Sequence, residues 1–221
     1  MSILILFYFL KLLFKHIAGI DRGRNRHDFH NAGLGDGRDP VQPTGAEEAS
    51  GGIGEEVDHV VGKERMVEMA DLPDLPYTKA TVNETLRKHP ALPLLLPHAS
   101  IEACELQVPS SSDGKNQPLY QIPSGTRMLV NAWAIGNDPA TWQDPDKFLP
   151  ERFLAGPKAD VDVRGQHFEL LPFGSGRRMC PGMGLALGVL ELSVASLAHC
   201  FEWELRDGVV DMREMFGMIN P

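Results

Sequence analysis

The alternation of apolar and polar residues predicts two helices between residues 55 and 90. The first is predicted to begin near Glu55 and to end before Gly62, because valines repeat at helical spacing at Val57, Val60 and Val61. The second covers residues 77–89 and ends at Pro90, whose ring cannot continue a helix. A proline-rich turn, DLPDLP, separates the two predicted helices.

Residues 182–201 predict a third helix that is apolar on almost every face, a pattern typical of a helix buried in a core. A membrane span is the alternative, but Glu191 near the middle of the segment and its three glycines favour the core. A second apolar stretch, residues 3–14, is interrupted by Lys11 and is shorter than the ~20 residues that a span needs. We therefore expect no convincing membrane anchor in this chain.

Between residues 93 and 130 the pattern changes to short apolar runs separated by turn residues. The runs LPLLLPHAS, CELQVP, PLYQIP and TRMLVNAWAI predict the strands of one small sheet, with SSSDGKNQ as a hairpin loop. The next segment, NDPATWQDPDKFLPERF, is irregular, and three aromatic residues are predicted to anchor it, namely Trp142, Phe148 and Phe153. Residues 22–54 are rich in Gly, Pro, Asp and Asn without a hydrophobic period, which predicts a loop or disorder.

The net charge and the number of cysteines indicate which partners and which redox compartment suit this chain. The 221 residues carry a net charge of -9 and contain no basic stripe, so we expect no nucleic-acid partner. The three cysteines, Cys104, Cys180 and Cys200, are too few for a disulfide framework and lack the spacing of a zinc site. The chain therefore suits a reducing compartment, or a surface that faces one.

One cysteine stands in an unusual setting, the stretch LPFGSGRRMCPGMGL. Cys180 comes directly before the predicted apolar helix, and the positive end of a helix favours a thiolate. Gly174, Gly176 and Gly182 let the backbone turn tightly and approach a flat ligand closely. Arg178 offers a planar fork that suits a carboxylate. The combination predicts a thiolate ligand for a metal in a large cofactor with acidic groups, although a cysteine before an apolar helix is, taken alone, more often structural.

The same stretch contains the complete pattern F-x-x-G-x-R-x-C-x-G, as Phe173, Gly176, Arg178, Cys180 and Gly182. In this pattern the chain resembles the cytochrome P-450 family, for which it is the haem-binding signature. The resemblance implies that these five residues bind haem b (iron protoporphyrin IX) and that the Cys180 thiolate ligates its iron. It also implies that His98, in LLLPHAS, contacts a haem propionate; an ordinary histidine at a strand edge is the alternative.

Two further stretches match the family, NETLR and PERF. The first carries its E-x-x-R motif as Glu84 and Arg87, and the second contributes Arg152. The resemblance implies that these three residues form a buried ionic triad that braces the cysteine loop. Taken alone, Glu84 and Arg87 could be an exposed ion pair worth a few tenths of a kcal/mol.

The resemblance implies a mainly α-helical fold with a small antiparallel β-sheet (α+β). Residues 55–221 would form the C-terminal haem-binding region of an incomplete family fold, and residues 1–54 a divergent or disordered segment. The implied activity is that of a haem-thiolate monooxygenase, which inserts one oxygen atom from O2 into a lipophilic small molecule. The implied partners are an NADPH-dependent flavoprotein reductase, O2 and that substrate, at the cytosolic face of the endoplasmic reticulum membrane.

The sequence departs from the family pattern on the oxygen-binding side. It contains no match to A/G-G-x-D/E-T-T, the acid-threonine pair on the distal helix, so no catalytic residue is assigned. Two alternatives follow. The chain could be a truncated, catalytically inactive fragment of a cytochrome P-450, or a non-haem interaction module that reuses the fold.

Overall fold

The computed structural model describes residues 45–108 and 119–201, and for residues 45–51 it describes the backbone alone. Helices dominate these ranges: α1 (Gly45–Val60), α2 (Pro76–Lys88), α3 (Ala132–Gly136) and α4 (Met183–Cys200). Short 3₁₀ turns occur at Leu72–Asp74, Pro150–Phe153 and Gly176–Arg178.

Within the described residues, four short strands form two separate antiparallel pairs rather than the one sheet predicted. These are β1 (His98–Ala99) with β4 (Arg127–Met128), and β2 (Cys104–Gln107) with β3 (Leu119–Ile122). Cys104 lies opposite Ile122, and Gln107 lies opposite Leu119. The strands on either side of the predicted loop SSSDGKNQ therefore pair with each other, while the loop itself lies outside the described residues. The α+β class with a small antiparallel part is confirmed.

Helix α4 packs against α1 and α2, and the hydrophobic core lies between these helices and the irregular segment after α3. The most deeply buried apolar side chains include Ile53, Val57, Leu86, Trp142 and Leu190. Of the three aromatic residues predicted to anchor the irregular segment, Trp142 and Phe153 are buried and Phe148 is half-buried.

A carboxylate of α1 caps the start of α2. Glu56 accepts hydrogen bonds from the backbone N–H groups of Tyr77 (2.6 Å) and Thr78 (2.9 Å), and from the Thr78 hydroxyl (2.8 Å). These amides belong to the first turn of α2, whose N-cap residue, Leu75, makes no side-chain cap. A negative group from another helix thus satisfies donors that α2 cannot satisfy itself.

The prediction of a loop before Glu55 is wrong for residues 45–54, because α1 begins at Gly45. The reason is tertiary packing. Ile53 is fully buried, and Gly52 lies so close to Tyr77 that a Cβ there would come within 2.6 Å of its ring. Contact with α2 thus outweighs the low helix propensity of the glycines. The rest of the predicted loop and the apolar stretch 3–14 lie outside the described residues.

The run TRMLVNAWAI is a strand only over Arg127–Met128, and its end forms the short helix α3. Asn131 explains the change, because its side-chain oxygen accepts a hydrogen bond from the Ala134 N–H at 2.9 Å, as an N-cap residue does. The alternation of apolar residues alone did not reveal this cap.

The prediction that α4 is buried in the core is confirmed for one face of the helix but not for every face. Its buried residues recur at intervals of three or four, namely Ala186, Leu190, Val194, Ala195, Ala198 and His199, whereas Leu185 is 70% exposed. Among the described helices, α4 is long and apolar enough to cross a membrane. A core helix passes the same test, and the packing of α4 against α1 and α2 places it in that class.

The half-buried Glu191 of α4 makes stability depend on pH. Its pKa is raised above the ordinary value by desolvation, against a smaller attraction to Lys79 and Arg164. Folding therefore favours the protonated carboxyl, and this contribution is present below the unfolded-state pKa and lost as pH rises through the folded-state pKa.

We predict that Glu191→Gln raises the free energy of unfolding at neutral pH but changes it little near pH ~4, where the carboxyl is largely protonated in both states. Urea unfolding of both proteins across this range measures the difference. A difference that stays constant from the acid end to neutral pH would contradict the prediction.

Candidate functional site

The cysteine loop, residues 171–182, is shaped by its backbone. Gly174 and Gly176 have φ values of 75° and 70°, which side chains with a Cβ rarely adopt. A 3₁₀ turn over Gly176–Arg178 follows, and the Cys180 N–H donates to the Phe173 carbonyl at 3.0 Å. Phe173 is buried in the core. The loop is thus closed on itself and fixed to the core at its start.

Two neighbouring segments hold the cysteine loop from outside. The Ser175 hydroxyl donates to the Gly165 carbonyl at 2.7 Å. A Cβ on Gly165 would lie 2.9 Å from the Met179 sulfur, so glycine is required for this approach. On another side, a Cβ on Gly174 would lie 3.9 Å from a methyl group of Leu95, which precedes β1. The Ser175 hydrogen bond ties the loop to the Gly165 segment, and Leu95 lies near the loop on another side.

Cys180 is a free, half-buried cysteine that packs against the core, three residues before α4 begins. Gly182 is the N-cap residue of α4, and no side chain caps it. The unpaired N–H groups of this first turn carry partial positive charge, which stabilises an anion nearby. A Cβ on Gly176 or on Gly184 would meet no other described residue within 4 Å, so within that part of the chain there is open space beside the loop and beside the first turn of α4.

Two basic side chains from the predicted site, Arg178 and His98, are exposed, and so is the neighbouring Arg177. Neither arginine forms a salt bridge with any other residue that the structure describes. His98 lies on β1, opposite Met128 and three residues after Leu95. A cysteine, an open glycine-rich turn and arginines that have no carboxylate partner within these ranges suit an iron porphyrin with acidic groups.

The structure brings Glu84, Arg87 and Arg152 together. The Glu84 carboxylate accepts two hydrogen bonds from Arg87, at 2.8 Å and 2.9 Å, and lies 3.2 Å from Arg152 Nε. The side chains of Glu84 and Arg87 are fully buried, and that of Arg152 is 9% exposed. This arrangement is the buried triad that the sequence implied, rather than an exposed ion pair.

The triad also binds the backbone of the irregular segment. Arg87 donates to the carbonyls of Gly136 (2.6 Å), Pro145 (2.9 Å) and Lys147 (3.2 Å), and Glu84 accepts from the Leu149 N–H at 2.9 Å. A Cβ on Gly136 would lie only 2.7 Å from the Arg87 carbonyl oxygen. The charged groups therefore act as fixed partners for a segment that has little regular structure of its own.

The triad reaches the cysteine loop only through intermediate contacts among the described residues. The guanidinium carbons of Arg87 and Arg152 lie 5.4 Å and 5.9 Å from the centre of the Trp142 ring, and Lys158 Nζ lies 5.0 Å from it. Lys158 in turn forms a 3.0 Å salt bridge with Glu169, two residues before the loop. Sequence reasoning missed Lys158 and Glu169, because no motif marks them.

The model of the cytochrome P-450 family matches residues 48–221. The chain is 48% identical over 166 residues to a flavonoid 3',5'-hydroxylase of Campanula medium, across 74% of this chain and 30% of that protein. It is 49% identical over 170 residues to an iridoid oxidase of Catharanthus roseus, across 75% of this chain and 30% of that protein.

A solved zebrafish cytochrome P-450, described with abiraterone, matches 69% of this chain and 32% of that structure, with 34% identity and a TM-score of 0.56. The chain thus spans about 30% of the length of the curated relatives it matches.

We predict that Glu84→Gln lowers the free energy of unfolding by about 3–5 kcal/mol, because it leaves two arginines without a buried counter-charge. The matched control is Lys147→Gln, which removes an exposed ion pair with Asp144 at 3.2 Å and should cost less than about 1 kcal/mol. Urea unfolding compares the variants. Equal losses in the two proteins would show that the triad contributes no more than a surface pair.

Proposed function

The chain belongs to the cytochrome P-450 family, and from this premise we propose that it supplies the haem-binding part of a haem-thiolate monooxygenase. The observation that carries the proposal is the position of Cys180, a half-buried free cysteine at the positive end of α4, in a loop closed by its own hydrogen bond to Phe173. A thiolate in that place has the partial charge of the helix to stabilise it.

In this proposal Cys180 ligates the haem iron, and Phe173, Gly176 and Gly182 set the shape of the loop that presents it. Arg178 and His98 bind the haem carboxylates, since both side chains are exposed and basic. Bound haem supplies the oxygen chemistry, the insertion of one atom of O2 into a C–H bond of the substrate. The part of this chain would be to hold the cofactor and to keep the Cys180 thiolate in place as a ligand for its iron.

The role we propose for Glu84, Arg87 and Arg152 is to position the loop rather than to touch the cofactor. Their hydrogen bonds fix the irregular segment that contains Trp142. Trp142 lies against Lys158, whose partner Glu169 lies two residues before the cysteine loop. A shift of the segment would therefore change the position of the thiolate.

The substrate, the redox partner and the location are further parts of the proposal. We propose a lipophilic small molecule, which the exposed Leu94 and Leu96 beside the loop support. The relatives described above are named for a flavonoid and an iridoid.

Electrons would come from an NADPH-dependent flavoprotein reductase, at the cytosolic face of the endoplasmic reticulum membrane. We assign the haem-binding region to residues 55–221. The match to the family model begins slightly earlier, at residue 48.

A second candidate is a chain that binds haem without turnover. The observation that favours it is the absence of an acid-threonine pattern from the 221 residues. This candidate and the first share the Cys180 ligand and differ only in activity, so one experiment can address both.

We predict that the 221-residue chain supplied with haem, reduced and exposed to carbon monoxide, shows the red-shifted Soret band of thiolate ligation. Cys180→Ser should abolish that band. The matched control, Cys104→Ser, removes an exposed thiol on β2 and should leave the band unchanged.

Oxygen consumption with a flavoprotein reductase and NADPH then separates the two candidates. Substrate oxidation would support the monooxygenase, and the spectral band without oxidation would support the inactive haem-binding chain. Soluble, folded protein that lacks the band would overturn both and favour a non-haem interaction module.

A further inference from the structure

A second cysteine lies against a methionine on the side of α4 away from the cysteine loop. Cys200, the last residue of α4, directs its Sγ–H at the Sδ of Met66, and the two sulfur atoms are 3.7 Å apart. Both residues reach solvent: Met66 is 53% exposed and Cys200 is partly exposed. The residues are 134 positions apart in the chain, so only the tertiary fold brings these sulfur atoms together.

The segment that carries Met66 is held in place. Arg65 donates to both carboxylate oxygens of Asp71 at 2.7 Å and to the Met66 carbonyl at 3.1 Å. The Arg65 hydrogen bond lowers the pKa of Asp71 to about 2, so this contact is ionic at any ordinary pH. At the start of the segment, His199 Nε2 lies 2.9 Å from the Gly62 carbonyl oxygen. These hydrogen bonds therefore hold the segment in a conformation that places the Met66 thioether beside Cys200.

We propose that Cys200 and Met66 form an oxygen-transfer pair, in which hydrogen peroxide oxidises Met66 to its sulfoxide through Cys200. The Sγ–H···Sδ contact decides the direction of oxygen transfer, because it points a lone pair of the Met66 thioether at the Cys200 sulfur. Once that sulfur carries a hydroxyl group, the same lone pair faces an electrophile.

The chemistry balances in three steps. The Cys200 thiol and H2O2 give the sulfenic acid and one water, so the cysteine is oxidised by two electrons and the peroxide is reduced. The Met66 sulfur then attacks the sulfenyl sulfur and forms an S–S bond, which leaves a positive charge on the methionine sulfur. The hydroxyl group takes a proton from solvent and leaves as water, and the third step returns that proton. Water adds to the methionine sulfur, the S–S bond breaks, and the products are Met66 sulfoxide, the Cys200 thiol and a proton.

The result is one molecule of peroxide consumed per sulfoxide formed, with Cys200 regenerated. The sulfoxide is polar and no longer offers the lone pair that accepts the Cys200 hydrogen bond. Oxidation therefore removes a contact between the Met66 segment and the end of α4.

The chain contains an internal control for the test. Met69 lies three residues from Met66 on the same segment and is 58% exposed, but its methyl group faces Gly188. Direct oxidation by peroxide depends on exposure, so it should proceed at similar rates at Met66 and Met69. Oxidation through Cys200 should accelerate Met66 alone.

The experiment treats the full 221-residue chain with dilute H2O2 in the presence of a metal chelator and follows each methionine by peptide mass spectrometry. We expect Met66 to oxidise on the order of tenfold faster than Met69, because the sulfenic acid is held beside its acceptor. In Cys200→Ser the two rates should become equal. Cys104→Ser, which removes another exposed thiol, should leave the ratio as in the original chain.

Three results would overturn the proposal: equal rates at Met66 and Met69 in the original chain, a rate ratio that survives Cys200→Ser, or a sulfenic acid trapped at Cys200 while Met66 stays reduced. Unfolding of Cys200→Ser would be recognised because other buried and exposed methionines would then gain reactivity together. In that event Met66→Leu provides the second variant. The proposal requires the Cys200 sulfenic acid to live longer in this variant than in the original chain, and an unchanged lifetime would refute it.

Discussion

The buried ionic triad of Glu84, Arg87 and Arg152 holds together the irregular segment that follows α3. Its three side chains are almost completely withdrawn from water. A guanidinium or a carboxylate buried alone would be strongly unfavourable, so Arg87 and Arg152 each need the Glu84 carboxylate, and Glu84 needs a cation beside it. Their remaining hydrogen-bonding groups are satisfied by backbone atoms of residues 136–149. The triad therefore does for this segment what a sheet or a helix does elsewhere, since it supplies fixed partners for backbone groups that would otherwise be left unpaired.

The triad is connected to the cysteine loop through a series of contacts rather than directly. The two arginines lie against Trp142, Trp142 lies against Lys158, and the Lys158–Glu169 pair leads into the cysteine loop. The loop adds its own constraints: two glycines with positive φ, a hydrogen bond from Cys180 to Phe173, and the contact between Ser175 and Gly165. In the proposed role of Cys180 as a metal ligand, these contacts would keep its sulfur in one position, which such a ligand requires.

Helix α4 connects the two sulfur sites described here. Its N-terminal end follows Cys180, its C-terminal residue is Cys200, and its buried stripe packs against α1 and α2. The two cysteines lie at opposite ends of the helix dipole. Cys180 contacts the core and the glycine-rich loop, whereas Cys200 contacts the thioether of Met66. The two cysteine side chains, one before the helix and one at its last residue, thus lie in different chemical environments.

The sequence by itself determined the family, through the spacing of five residues around Cys180, and with it the α+β class, the triad and the approximate position of α2 and α4. Such features depend on local spacing or on residue types that few other environments tolerate. It did not determine where α1 begins, that Asn131 starts a helix, or that α4 leaves Leu185 exposed. Those outcomes depend on which surfaces meet: Tyr77 against Gly52, Glu56 against the start of α2, and Met66 against Cys200. Contacts between residues far apart in the chain leave no periodic trace in the sequence, because each requires only that two compatible side chains be brought together by everything else that folds.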